Sequence, residues 1–135
     1  MIEFTVLGLP KGKARPRFVR TNKGVRTYTP KSTETYQNDV LWAYMDKYKG
    51  VTLKGPILAN ISAYFPIPKS TPKKKRAGLK WYDKKPDVDN IAKSVLDALN
   101  GVAYDDDKQI VVMIIHKEYS NEARVEIKLG EINDT

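Results

Sequence analysis

The chain switches between two hydrophobic periods, and each switch marks an element. Ile2, Phe4 and Val6 alternate with Glu3 and Thr5, which predicts a first strand running to about Leu9, where Pro10 and Gly12 break it. Tyr36, Val40, Leu41, Tyr44 and Tyr48 then recur at three-to-four spacing, predicting a helix that starts at Thr29-Pro30 and stops at Gly50. Period two returns in Ile57, Ala59, Ile61, Ala63 and Phe65, a strand with one well-buried face. Ile91, Val95, Ala98, Leu99 and Val102 define a short amphipathic helix, with Asp89 placed as N-cap and Gly101 as the left-handed residue that ends it. A β-rich run from Ile110 to Tyr119 and a last alternation from Arg124 to Leu129, with Ser120-Asn121 between them, predict a terminal hairpin.

These elements define an α+β fold, one domain over residues 1–135, with helices packed against a mixed or antiparallel sheet. Its 135 residues suit one domain with a real core, and there is no internal repeat or interdomain linker. The tyrosine stripe and Trp42 read as core or subunit contact. Two stretches have no period: KGKARPRFVRTNKG, which reads as a charged arm or loop, and Pro66 to Pro86, a basic connection with a short helix starting near Ser70 or Thr71. Trp81 and Tyr82 in the latter are expected to cover the edge of the core, with base stacking as the alternative. His116 reads as an ordinary strand residue, and the tail from Glu131 to Thr135 as frayed.

Composition narrows the chemistry. There are no cysteines, which excludes disulfides and thiolate metal sites and suits a reducing cytoplasm. No run approaches a membrane span and the N-terminus lacks the layout of a signal peptide, so a cytoplasmic protein with no membrane partner is expected. The 24 basic residues outnumber the 16 acidic ones, a formal charge of +8 that points to a polyanion such as nucleic acid. Lys11, Lys13, Arg15, Arg17, Arg20, Lys23 and Arg26 follow one another without an acid. Lys69, Lys73, Lys74, Lys75, Arg76, Lys80, Lys84 and Lys85 form a second basic stretch broken only by Asp83. The candidate DNA contacts are Lys11, Lys13, Arg15, Arg17, Arg20, Lys73, Lys74, Lys75 and Arg76.

Against this background, six of the sixteen acids fall between Lys85 and Ile110, in KPDVDNIAKSVLDALNGVAYDDDKQI. At about 100° per residue, Asp89, Lys93 and Asp97 share the helix side opposite the apolar stripe, with Leu96 among them needing its own cover. Pro86 favours an extended approach, in which Asp87 and Asp89, two apart, point the same way. Two carboxylates about 4 Å apart repel by about 4 kcal/mol at an effective dielectric near 20. Bringing in one of Asp105, Asp106 and Asp107 raises that cost, and a hard divalent cation, Mg²⁺ or Mn²⁺, would neutralise it. EF-hand, P-loop and dinucleotide-binding patterns all fail on their required positions.

Asp87-x-Asp89-Asn90-x-x-Lys93, then Asp97-x-Leu99-Asn100, then Asp106-Asp107-x-Gln109-Ile110 resembles the core signature of the RusA family of Holliday junction resolvases of bacteria and their phages. The basic KARPRF segment, Lys13 to Phe18, is similar to the family's N-terminal region. The resemblance implies catalytic aspartates at Asp87, Asp89 and Asp107 and a catalytic lysine at Lys93. The triple aspartate leaves both Asp106 and Asp107 open as the third metal ligand. It further implies a homodimeric, Mg²⁺-dependent endonuclease that places two symmetric cuts across branched DNA, for which a two-fold dimer is the economical arrangement. The reading from a different class is a non-catalytic basic DNA-binding protein whose acidic cluster is a structural cation site.

Overall fold

The computed structural model describes residues 1–14, 17–28 and 30–132; Arg15, Pro16, Thr29, residues 133–135 and the side chains of Arg17 and Tyr28 lie outside the described residues. Strand β1 (Ile2–Leu7) buries Ile2, Phe4 and Val6 and exposes the residues between them. The longer β4 (Ile57–Pro66) buries Ile57, Ala59, Ile61, Ala63 and Phe65 on one face, and β6 (Arg124–Glu131) buries Val125, Ile127 and Leu129. These rows meet helix α1 (Lys31–Lys47) through Tyr36, Val40 and Tyr44, and helix α3 (Val88–Leu99) through Ile91, Ala92, Val95 and Leu99. Full burial of an aliphatic side chain of this size contributes about 1.5–3 kcal/mol. The stripe on α3 therefore fixes which side of the helix is left for polar residues.

The main sheet is mixed, in the order β1-β6-β4-β5, with β5 spanning Ile110–Ser120. β6 pairs antiparallel with β1 and with β4, whereas β4 and β5 are parallel. The predicted terminal hairpin is therefore corrected: β5 and β6 are consecutive in sequence but β4 lies between them. Turn residues at Ser120-Asn121 show that the chain reverses, not which strand fills the gap. The strand with the most regular buried face, β4, takes the centre. A parallel pair needs a long crossover, and α3 with its flanking loops supplies it.

The basic N-terminal stretch also departs from the expected loop. Arg17–Thr21 (β2) and Gly24–Tyr28 (β3) pair as a separate two-stranded antiparallel ribbon, turned at Asn22-Lys23, with Gly24 at a φ of 121°. Lys73–Arg76 forms the short helix α2 in the second basic stretch. Tyr82 stacks on buried Phe65 with ring centroids 3.8 Å apart, so it covers the core edge as expected, while Trp81 remains 61% exposed. Residues 80–82 also cap the outer edge of β5: Tyr82 N–H donates to the Lys117 carbonyl and Tyr119 N–H to the Lys80 carbonyl. His116 sits in β5 as a strand residue beside Tyr64 and Trp81.

Candidate active site

Helix α3 starts two residues earlier than its sequence suggested, with Asp87 and not Asp89 as the cap. Asp87, extended at φ −70° and ψ 155°, is the N-cap, and its carbonyl accepts the Ile91 N–H. Asp89 lies in the first turn, where the positive end of the helix dipole favours a carboxylate. Neither carboxylate is consumed in capping, since Asp87 makes no side-chain cap hydrogen bond. Both are left to face outward.

They face an open cleft of about 640 Å³ lined by Lys13, Ala14, Asp87, Asp89, Asn90, Lys93, Asp97 and Asp107. Asp89, Lys93 and Asp97 occupy successive turns of α3 on the side opposite Ile91, Val95 and Leu99, and Leu96 finds cover by packing partly against the core. The cleft sets four carboxylates against two ammonium groups, an acidic spot on a basic protein. Lys13 pairs with Asp97 at 2.6 Å. Among the described residues, Lys93, Asp87 and Asp89 have no ion-pair partner.

The three consecutive aspartates part company. Asp105 pairs with Lys54 at 2.9 Å, away from the cleft. Asp106 caps the 3₁₀ turn Asp107–Gln109 by accepting the Lys108 N–H at 2.9 Å. Asp107 alone of the three lines the cleft. A hydrogen bond from the backbone of Lys108 holds the Asp106 carboxyl below the usual carboxylate range, whereas the side-chain hydrogen bond with Asp106, with the charge of Asp97 adding to it, raises that of Asp107. Gln109 organises the turn. Its Oε1 accepts the N–H groups of Asp105 and Asp106, both at 2.9 Å, and its Nε2 donates to the carbonyls of Leu53 and Gly55.

Three further devices hold the cleft together, and sequence reasoning missed all of them. The Lys13 N–H donates to the Asn90 carbonyl and the Ala14 N–H to Thr33 Oγ1, fastening residues 13–14 to α3 and α1. Gly12 makes this approach feasible, because a Cβ there would lie 2.9 Å from the Cβ atoms of both Asn90 and Pro86. On the other side, Lys117 Nζ reaches from β5 to the carbonyls of Lys84 at 2.5 Å and Pro86 at 2.8 Å, gripping the loop that delivers Asp87. Buried Tyr104 donates to the Leu96 carbonyl at 2.6 Å, tying the acidic turn to the end of α3. Burial, with Asp107, Asp97 and Asp106 nearby, pushes its hydroxyl pKa up. Gly12 stood out in the sequence only as the residue that, with Pro10, ends the first strand; nothing in the sequence marked Lys117.

The other candidate DNA contacts among the described residues lie outside the cleft. Lys11 is exposed beside it, Arg20 projects from the ribbon, and Lys73, Lys74 and Lys75 are exposed on α2. Arg76 folds back on the carbonyls of Thr71 and Lys69. Arg15 and the side chain of Arg17 are outside the described residues. A second concavity, about 570 Å³ between β1, α1 and β6, has both its lysines engaged, Lys47 with the Glu3 carbonyl and Lys128 with the Glu3 carboxylate.

The donor set suits a hard cation: oxygen ligands only, excess negative charge, and mutual repulsion at Asp107 that a cation would relieve. Asp87, Asp89 and Asp107 share the cleft, but among the described residues no three acidic or histidine side chains converge closely enough to hold one ion. The family model for endodeoxyribonuclease RusA matches residues 8–130. A Bacillus subtilis relative, named only as the uncharacterized protein YqaN, is 36% identical, the alignment covering 98% of this chain and 97% of that protein. The chain belongs to the RusA family of endodeoxyribonucleases.

Proposed function

We propose that the protein is a Mg²⁺-dependent, structure-selective endonuclease that resolves four-way DNA junctions by paired phosphodiester cuts, acting as a homodimer. The observation that carries this reading is the single cleft, inside the family-matched region, that brings Asp87, Asp89, Lys93 and Asp107 together. Asp87, Asp89 and Asp107, which line one cleft without forming a ready-made three-ligand site, are the oxygen donors that would supply ligands to Mg²⁺ or Mn²⁺. When bound, the metal lowers the pKa of a water and steadies charge on the oxygens of an in-line displacement. Lys93, with no ion-pair partner among the described residues, offers a point charge to the scissile phosphate and to the charge that grows there. Lys13, steadied by Asp97, presents a second cation at the cleft wall.

A dimer is supported by β5. Among the described residues its outer edge is capped at 117–119 alone, and Val111, Val112, Met113 and Ile114 are exposed on a run from Ile110 to Ile115 that carries no charge. Bare apolar edges of this kind favour pairing with another chain. The deciding assay is cleavage of a synthetic four-way junction in Mg²⁺ and in EDTA, by wild type and Asp89→Asn. The proposal requires paired symmetric cuts by wild type in Mg²⁺ alone and loss of cutting, with binding kept, in Asp89→Asn. Equal behaviour in all four conditions would instead favour a non-catalytic DNA-binding protein with a structural cation site.

A further inference from the structure

Among the described residues, no side chain of the β2–β3 ribbon lines the cleft or joins the core, and the ribbon displays apolar side chains to solvent. Cross-strand partners share a face, so the pairs Phe18↔Thr27 and Arg20↔Val25 put Phe18, Arg20, Val25 and Thr27 on one side. Phe18 is 73% and Val25 62% exposed. Together on one face, Phe18 and Val25 leave a small apolar patch of the kind that marks a contact surface. The surrounding charge selects what binds there: seven basic residues and no acid run from Lys11 to Arg26, which repels a second copy of the same ribbon and attracts a polyanion. A ligand that is both anionic and flat-faced fits this surface. Nucleic acid with an accessible base has both properties.

We infer that the ribbon is a base-contacting element, with Phe18 stacking on an unpaired or branch-point base while Arg20 on the same face and Lys23 at the turn hold the adjoining phosphates. Placement supports it. The ribbon's root is fastened beside the cleft by the Lys13 and Ala14 hydrogen bonds to Asn90 and Thr33. Phe18 lies four residues beyond Ala14, so even a fully extended chain puts it within about 14 Å of the cleft wall. At a rise of about 3.4 Å per base, the stacked base falls within about four steps of the phosphate in the cleft. The inference rests on the reading of Proposed function for the substrate being DNA, but not for its being cut.

The test uses the full chain, in EDTA, with two probes: a four-way junction carrying 2-aminopurine at the branch point, and a single-stranded oligonucleotide carrying it centrally. Wild type is expected to change 2-aminopurine fluorescence on binding. Phe18→Ala should lose that change and bind about tenfold more weakly, the size of one lost base–aromatic stack. Phe18→Trp should keep the change. Fluorescence that responds equally to wild type and Phe18→Ala, or to neither probe with wild type, overturns the inference. So does a Phe18→Ala protein that keeps its DNA response but drops to a smaller oligomer in sedimentation, since the ribbon would then join copies of the chain. A fluorescence response without cutting in Mg²⁺ keeps the ribbon's role and removes the resolvase; cutting without the response does the reverse.

Discussion

The Lys13 ammonium lies 2.6 Å from a carboxylate oxygen of Asp97, joining residues 84 positions apart across the wall of the acidic cleft. About a third of each side chain is exposed, so the pair is screened and contributes about 0–1 kcal/mol to folding. Its value lies in aim. Asp97→Asn is expected to leave the urea midpoint nearly unchanged and to lower junction cleavage about tenfold, the worth of one charge-assisted hydrogen bond. Lys13→Gln should match it, and the double variant should be no worse than either alone. Additive losses in this cycle would show that the two residues act separately.

Gln109 is the hinge of the acidic turn. Replacing it with Leu removes the acceptor for the Asp105 and Asp106 N–H groups and the donor to the Leu53 and Gly55 carbonyls. The expected cost is about 1–3 kcal/mol, because polar groups at a partly buried site lose their partners. Cleavage should fall further than stability alone explains, since Asp107 loses its direction. Gln109→Glu keeps the acceptor and discards the donor, and should fall between the two in urea unfolding and in junction cleavage.

These two relationships also show what the sequence could convey. The stripe Ile91, Val95 and Leu99 sets the buried face of α3, so Asp89, Lys93 and Asp97 were legible as one polar side from spacing alone. Which of three adjacent aspartates enters the cleft was not, because Lys54 draws Asp105 away and Gln109 reaches to Leu53 and Gly55, contacts more than 50 residues apart in the chain. Strand order failed for the same reason: the insertion of β4 between β5 and β6 is decided by pairing between distant segments. The ribbon was local and its turn residues, Asn22 to Gly24, were in view; the density of charge masked the short alternation around them.

Gly12 permits the closest approach at the site. In Gly12→Ala the new Cβ would lie 2.9 Å from the Cβ atoms of Asn90 and Pro86, closer than carbon atoms tolerate. Residues 12–14 must move off α3, breaking the Lys13 N–H bond to Asn90. Overpacking of this kind costs about 1–3 kcal/mol. The expected readout is a lower urea midpoint together with loss of the Lys13 contribution to cleavage, so that adding Lys13→Gln to Gly12→Ala changes the rate no further.

Lys117 grips the carbonyls of Lys84 and Pro86 and thereby sets where Asp87 stands. Lys117→Met keeps an unbranched apolar stem and removes the ammonium, which lies 5.4 Å from the centroid of the Tyr82 ring as well as on the two carbonyls. Since the residue touches no cleft group, its loss should lower kcat on the junction while leaving DNA affinity within about threefold, and Lys117→Arg should restore part of the rate by supplying donors again. A fall in affinity with kcat preserved would place Lys117 on the DNA instead.

The uncharged run from Ile110 to Ile115 on the open edge of β5 gives the proposed dimer a specific test. Met113 and Ile114 point to opposite faces of the strand, by the alternation of a pleated chain. Both are already 45–50% exposed, so replacing them together with lysine should change unfolding free energy by about 1 kcal/mol or less. Charge on an edge opposes pairing with another edge. Sedimentation equilibrium is expected to show monomer for the double variant and dimer for wild type. On a four-way junction the monomer should give unpaired nicks in place of symmetric paired cuts, because only one cleft is then held against the branch. A double variant that remains dimeric would move the subunit contact to another face of the protein.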